Sequence, residues 1–253
     1  MSNRFERFER PGDDFPFYNG RPRLITGRQW WLVVTLVMAG FFVLTLPIVS
    51  LPGAAAATAY SRAILFFAIP LAGLALVASR DWTALFRPIR ARDVLWMVAF
   101  AALNFIVTIG VGYYLAGAIG AQRNPVFQRM AGMTGAQLTN FFVQTGLQLF
   151  GEEVVTILPF LALMYWLTVA LHRSRRAAVV WAWLISAVFF ALLHLPSYNW
   201  NLLQVLMLIG LARLILTLAY IKTKNIWVST GAHILNDWTS FALTLLTARL
   251  ASG

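Results

Sequence analysis

Gly151-Glu152-Glu153-Val154-Val155-Thr156-Ile157 sets two adjacent carboxylates inside an apolar run that extends from about Ala136 to Leu171. That placement decides the reading of the chain. A charge at the centre of a bilayer costs about 2.5–3.5 kcal/mol on insertion scales. Neighbouring carboxylates also repel. A sequence accepts both costs mainly to build a site. The chain carries nine acidic residues. Six of them, Glu6, Glu9, Asp13, Asp14, Asp81 and Asp93, fall in stretches that read as tail or loop. Only Glu152, Glu153 and Asp237 fall in stretches that read as membrane.

Working outward, the 253 residues are 60% apolar and 11% charged, against about 25% charged in soluble domains. Seven apolar runs lie at approximately 30–50, 63–79, 94–119, 136–171, 177–194, 202–221 and 226–247. Each is near the roughly 20 residues a helix needs to cross a bilayer. The expected fold is all-α: a polytopic transmembrane helix bundle of seven segments. An eighth would arise if the fourth run opens with a re-entrant stretch before Gly146 or Gly151. Pro159 is expected to bend its helix. Residues 1–29 read as a cytosolic N-terminal tail, and residues 30–250 as the bundle. The chain has no cysteine, which excludes a disulfide, a thiol nucleophile or a thiolate metal site.

The net charge of +11 does not point to nucleic acid, because the basic residues lie between apolar runs. They alternate by loop. Fifteen are in the N-terminal tail (Arg4, Arg7, Arg10, Arg21, Arg23, Arg28), the second loop (Arg80, Arg87, Arg90, Arg92), the fourth (Arg173, Arg175, Arg176) and the sixth (Lys222, Lys224). The other loops hold four: Arg62, Arg123, Arg129 and Arg249. The positive-inside rule then places the N-terminus in the cytosol, in an inner or plasma membrane, with basic residues near anionic headgroups. The absence of an internal repeat weighs against the repeat-built transporter folds.

Two histidines join the three membrane acids. His194 closes the fifth run, and His233 lies in the seventh, four residues before Asp237 and three before Asn236. On a helix those spacings share a face. Intramembrane ionisable groups normally face the bundle interior and one another. His172, among arginines in a loop, is given no role. Arg213, midway along the sixth run, lacks a partner in its own helix. A carboxylate beside a histidine can hold and deprotonate water, and a second histidine with a hydrogen-bond donor can stabilise an oxyanion. Glu152, His194 and His233 could instead hold zinc, although no His-Glu-x-x-His signature is present. A proton relay in a transporter uses the same residue types.

Glu152-Glu153, Phe190-x-x-x-His194 and His233-x-x-x-Asp237 resemble, in order and spacing, the three motifs of the CAAX-protease and bacteriocin-processing (Abi) family of intramembrane glutamic endopeptidases, which includes the Ras-converting CAAX prenyl protease. The resemblance covers roughly residues 136–245. It implies that Glu152 is the base and that His194 helps it activate water. It also implies that His233 and the residue four later stabilise the oxyanion. The substrate would be a peptide or membrane-anchored protein tail, and no cofactor would be needed. Two positions depart from the pattern. The arginine usual four residues after the second glutamate is replaced by Ile157, and the last motif ends in Asp237 where many members have asparagine. Asp237 is therefore expected to orient His233, or Asn236 to donate. Arg213 is expected to reach Glu153 across the bundle. An inactive relative serving as a membrane scaffold or immunity factor is the alternative from another class.

Overall fold

A computed structural model describes residues 8–10, 12–122, 124–130 and 132–252, apart from the side chains of 249, 251 and 252. Of the residues used for the charge alternation, Arg4, Arg7, Arg123 and the Arg249 side chain lie outside it. The chain is all helix among the described residues: α1 (Gly27–Thr45), α2 (Ala55–Ala78), α3 (Ala91–Ile119), a short α4 (Pro125–Met130), α5 (Gly135–Tyr165) and α6 (Arg175–Leu192), followed by α7 (Leu202–Gln204), α8 (Leu211–Thr223) and α9 (Ile226–Ser252). A π-helical stretch, Val205–Gly210, joins α7 to α8. Six helical segments are long and apolar enough to cross a membrane, so the chain is an integral membrane protein. The seventh run forms α9, 27 residues long. Its polar positions, His233, Asn236 and Asp237 among them, dilute its hydropathy.

Local chemistry explains the helix starts. Thr26 and Gln29 form a capping box at α1, and Thr134 and Gln137 form another at α5. Ser174 caps α6. Each satisfies backbone N–H groups that the first turn leaves unpaired. The fourth apolar run is one continuous helix through Gly146, Gly151 and Pro159, so the re-entrant opening that would have added an eighth segment is not formed among the described residues. Its excess length is instead taken up in a π-helical end, Trp166–Ala170. Gly151 serves a close approach: a Cβ there would overlap the ring of Phe66 on α2.

α5 is the central helix. It packs on α1, α2, α6 and α9, and from Val154 to Ala162 every residue on it is buried. The helices alternate in direction, so the start of α1, the end of α2, the starts of α3 and α6, the end of α8 and the start of α9 gather at one end. Nearly all the described basic residues are there, and this is called the basic end below. The N-terminal segment packs against it. Phe15, Phe17 and Ile25 are buried in the same cluster as Trp30, Phe160 and Tyr220. In water such burial is worth about 1.5–3 kcal/mol per side chain. Glu9 bonds Arg175 through both carboxylate oxygens, at 2.8 and 2.7 Å, and also takes Lys224 Nζ at 2.5 Å. Arg10 pairs with Asp93, Arg87 with Asp13, and Arg175 also with Asp14. Burial works to raise the Glu9 carboxyl, but its bonds to Arg175 and Lys224 prevail and hold it at about 2. Burial brings the Lys224 ammonium down to about 8, with Glu9 offsetting only part of that cost.

Candidate active site

The two glutamates point to different surroundings. Glu153 is fully buried and Glu152 is 13% exposed, lining a cavity of about 800 Å³. Adjacent helix positions lie about 100° apart around the axis, so one carboxylate faces the cavity while its neighbour enters the packed interior. Gln148, one turn before Glu152, donates from Nε2 to Glu152 Oε1 at 3.0 Å.

Glu153 is held from two helices. Arg213 on α8 donates from Nη2 to Glu153 Oε1 at 2.5 Å, and Nη1 lies 3.4 Å from Thr156 Oγ1. The cross-bundle contact expected from the lone arginine is therefore present, and Ile157 is free to pack as a fully buried core residue. The Arg213 guanidinium also lies 4.9 Å from the centre of the Phe190 ring. This is a cation–π contact, and it ties the second motif to the first. His233 Nδ1 is 2.9 Å from the same Glu153 oxygen. A carboxylate already bound by a guanidinium can only accept, so Nδ1 carries a proton. Nε2 then faces Glu152 Oε2 at 3.8 Å and Asp237 Oδ1 at 3.9 Å.

Asp237 thus stands beside His233, and it takes a hydrogen bond from Asn236 Nδ2 at 2.8 Å. The second N–H of that amide is left over, and Asn236 Oδ1 is buried without a partner. The neighbouring Gly231 admits Met97 of α3 so closely that a Cβ would meet its sulfur at 2.5 Å, which seats α9 against α3.

His194 sits just past the end of α6. Its Nδ1 bonds the Phe190 carbonyl at 2.9 Å, and its ring packs on the Phe190 ring at 4.7 Å. Nδ1 is therefore the donor, which in the neutral ring leaves the Nε2 lone pair free. His194 lines the same cavity as Glu152, His233, Asn236 and Asp237, although no direct hydrogen bond joins it to them among the described residues. In straight spans His194 and His233 would sit at different depths. A 3₁₀ turn, Leu195–Tyr198, resolves that by tucking inward, and Ser197 and Tyr198 join the cavity wall. Non-helical backbone at depth is tolerated where it lines such a cavity.

Sequence reading missed Gln148, Thr156 and Tyr198. The first was findable, since a glutamine four residues before a membrane glutamate shares its face. Tyr198 carried no such signal, because its position depends on the turn. Among the described residues, no group of three histidine or carboxylate side chains converges to hold a metal ion.

Residues 134–239 match the family model for type II CAAX prenyl endopeptidase Rce1-like proteins. This stretch holds all three motifs and bears out the family resemblance read from them. It supports a protease. No curated protein and no solved structure matched the chain.

Proposed function

We propose that the chain is an intramembrane endopeptidase that cleaves a peptide or membrane-anchored protein tail with a water activated by Glu152. The observation that carries this reading is the division of labour between the paired glutamates. Arg213 and His233 occupy Glu153, while Glu152 keeps an oxygen open to the cavity. Water in that cavity gives its proton to Glu152 as its oxygen attacks the scissile carbonyl. His194 Nε2, held by the Nδ1 bond to its own helix, accepts from the same water and fixes its direction. The oxyanion is met by the spare N–H of Asn236, by the Tyr198 hydroxyl and by His233 Nε2 when that atom carries a proton. Collapse of the tetrahedral intermediate breaks the C–N bond, and Glu152 returns its proton to the leaving amine. Asp237 accepts the Asn236 amide and flanks His233, which orients both. In this role an aspartate serves where a donor would otherwise stand.

The test is cleavage of a peptide library by the purified full chain in detergent, with and without a strong chelator. Cleavage that Glu152→Ala abolishes and the chelator leaves unchanged is expected. Cleavage that survives Glu152→Ala, or stops with the chelator, contradicts the reading. A cellular phenotype that survives Glu152→Ala without any cleavage points to a scaffold.

A further inference from the structure

The cavity occupies only half of the bundle. Its wall takes the last turns of α1 (Phe41, Leu44, Thr45), the second half of α3, and Ala121, Gln122, Asn124, Phe127 and Arg129 from the stretch that follows α3. From α9 it takes nothing before His233. All these places lie toward the end opposite the basic one. In the other direction the floor is closed, because Ile157, Leu158, Phe160 and Leu161 of α5 are fully buried against the aromatic cluster under the N-terminal segment. The cavity therefore has its mouth at the poorly charged end, where Arg62 and Arg129 are the described basic side chains.

Two rows of polar side chains lead from that mouth to the site. On α5 they are Gln144, Gln148 and Glu152, and on α9 they are Asn236, Ser240 and Thr244, all in the cavity wall and each at four-residue spacing. α5 and α9 pack together. Each row spans about 12 Å at 1.5 Å per residue, the reach of three or four extended residues. The rows are rich in acceptors. Ser240 Oγ donates to the Asn236 carbonyl at 3.0 Å and Thr244 Oγ1 to the Ser240 carbonyl at 2.9 Å, so both hydroxyl protons are used and the lone pairs remain. Peptide N–H groups could donate to those lone pairs, which an alkyl chain could not do.

We infer that the site takes an extended peptide segment presented on the extracytoplasmic side of the membrane, which enters between the α5 and α9 polar rows and reaches Glu152 from that side. The inference rests on the endopeptidase reading for the peptide, and on the basic end facing the cytosol for the direction. The basic end carries the density of Arg and Lys that the positive-inside rule assigns to the cytosol. The mouth is at the other end.

The test uses single cysteines in this cysteine-free chain. Full-length Thr244→Cys, in the cavity, and Arg92→Cys, at the exposed basic end, are treated with a membrane-impermeant maleimide in sealed right-side-out and inside-out vesicles, and in detergent. Thr244→Cys is expected to label in right-side-out vesicles and in detergent, and Arg92→Cys in inside-out vesicles. Labelling of Thr244→Cys only in inside-out vesicles overturns the direction, and no labelling in detergent overturns the open mouth. In parallel, Thr244→Val is expected to raise KM for a cleaved peptide about fivefold at unchanged kcat, the value of one hydrogen bond of about 1 kcal/mol. An unchanged KM overturns the peptide track. If no peptide is cleaved at all, the endopeptidase reading fails, and the labelling still decides the direction of the mouth.

Discussion

The two ends of this bundle handle charge in opposite ways. At the basic end Glu9, Asp13, Asp14 and Asp93 are matched with cations. Glu9 binds Arg175 and Lys224, Asp93 binds Arg10, and Asp13 and Asp14 bind Arg87 and Arg175. Aromatic side chains pack around them, with Phe15 against both the Arg175 guanidinium and the Lys224 ammonium. In the other half, polar side chains such as Gln148, Glu152, Ser240 and Thr244 line an open volume. Saturated charge fixes helix ends in place, whereas unsaturated polar groups leave room for something to bind. Glu152 and Glu153 show a related contrast within two residues, because Glu153 is held at Oε1 by Arg213 and His233 in the packed interior, with Oε2 buried without a partner, while Glu152 lines the cavity.

The sharpest way to break this comparison is to desaturate Glu153. Arg213→Met leaves a buried carboxylate without its guanidinium. A loss of about 3–5 kcal/mol in unfolding free energy is expected, read by thermal unfolding in detergent. Adding Glu153→Gln should restore part of that loss, since the pair is coupled. Strictly additive losses would mean that the two groups do not depend on each other. A smaller loss is expected at the basic end. Glu9→Gln weakens bonds to two cations and should cost about 1–3 kcal/mol, while detergent cleavage stays near the wild-type rate because the cavity is remote. A cleavage defect as large as the stability defect would merge the two ends into one functional unit.

Acid should act on the basic end in a defined window. The folded-state pKa of Glu9, about 2, lies below its ordinary value of 4.5. Its contribution is therefore present above pH 4.5 and is lost as the pH falls from there toward 2. Protection of the N-terminal segment from proteolysis should hold from pH 7 to 5 and decline below that window, whereas loss between pH 7 and 6 would assign it to another group. The smallest effect is expected from His172→Ala. That residue is exposed in the α5–α6 connection, and neither stability nor turnover should change.

The fold and the motif residues were legible because membrane burial is expensive. Apolar runs of span length admit few alternatives, and an intramembrane charge needs a reason, so Glu152, Glu153, His194, His233 and Asp237 stood out from a mostly apolar background. The Arg213–Glu153 contact was legible for the same reason, since two lone buried charges of opposite sign need each other. What the sequence hid lies in irregular backbone. Phe15 and Phe17 follow no helical period, and their burial depends on how the helix ends meet. The inward tuck of Leu195–Tyr198, which brings His194 and His233 to one cavity, depends on a 3₁₀ turn that no apolar period announces. α5 runs unbroken because Gly146 and Gly151 make room for neighbours, Trp238 and Phe66, and do not break the helix.

The most direct measurement is turnover of a cleaved peptide by Glu152→Gln against wild type, both shown by thermal unfolding to be equally folded. The substitution keeps the shape of the side chain and its contact with Gln148 but removes the base. The account predicts a fall in kcat of at least ~100-fold, the low end for losing a general base, with KM nearly unchanged. Cleavage within a few-fold of wild type would contradict it.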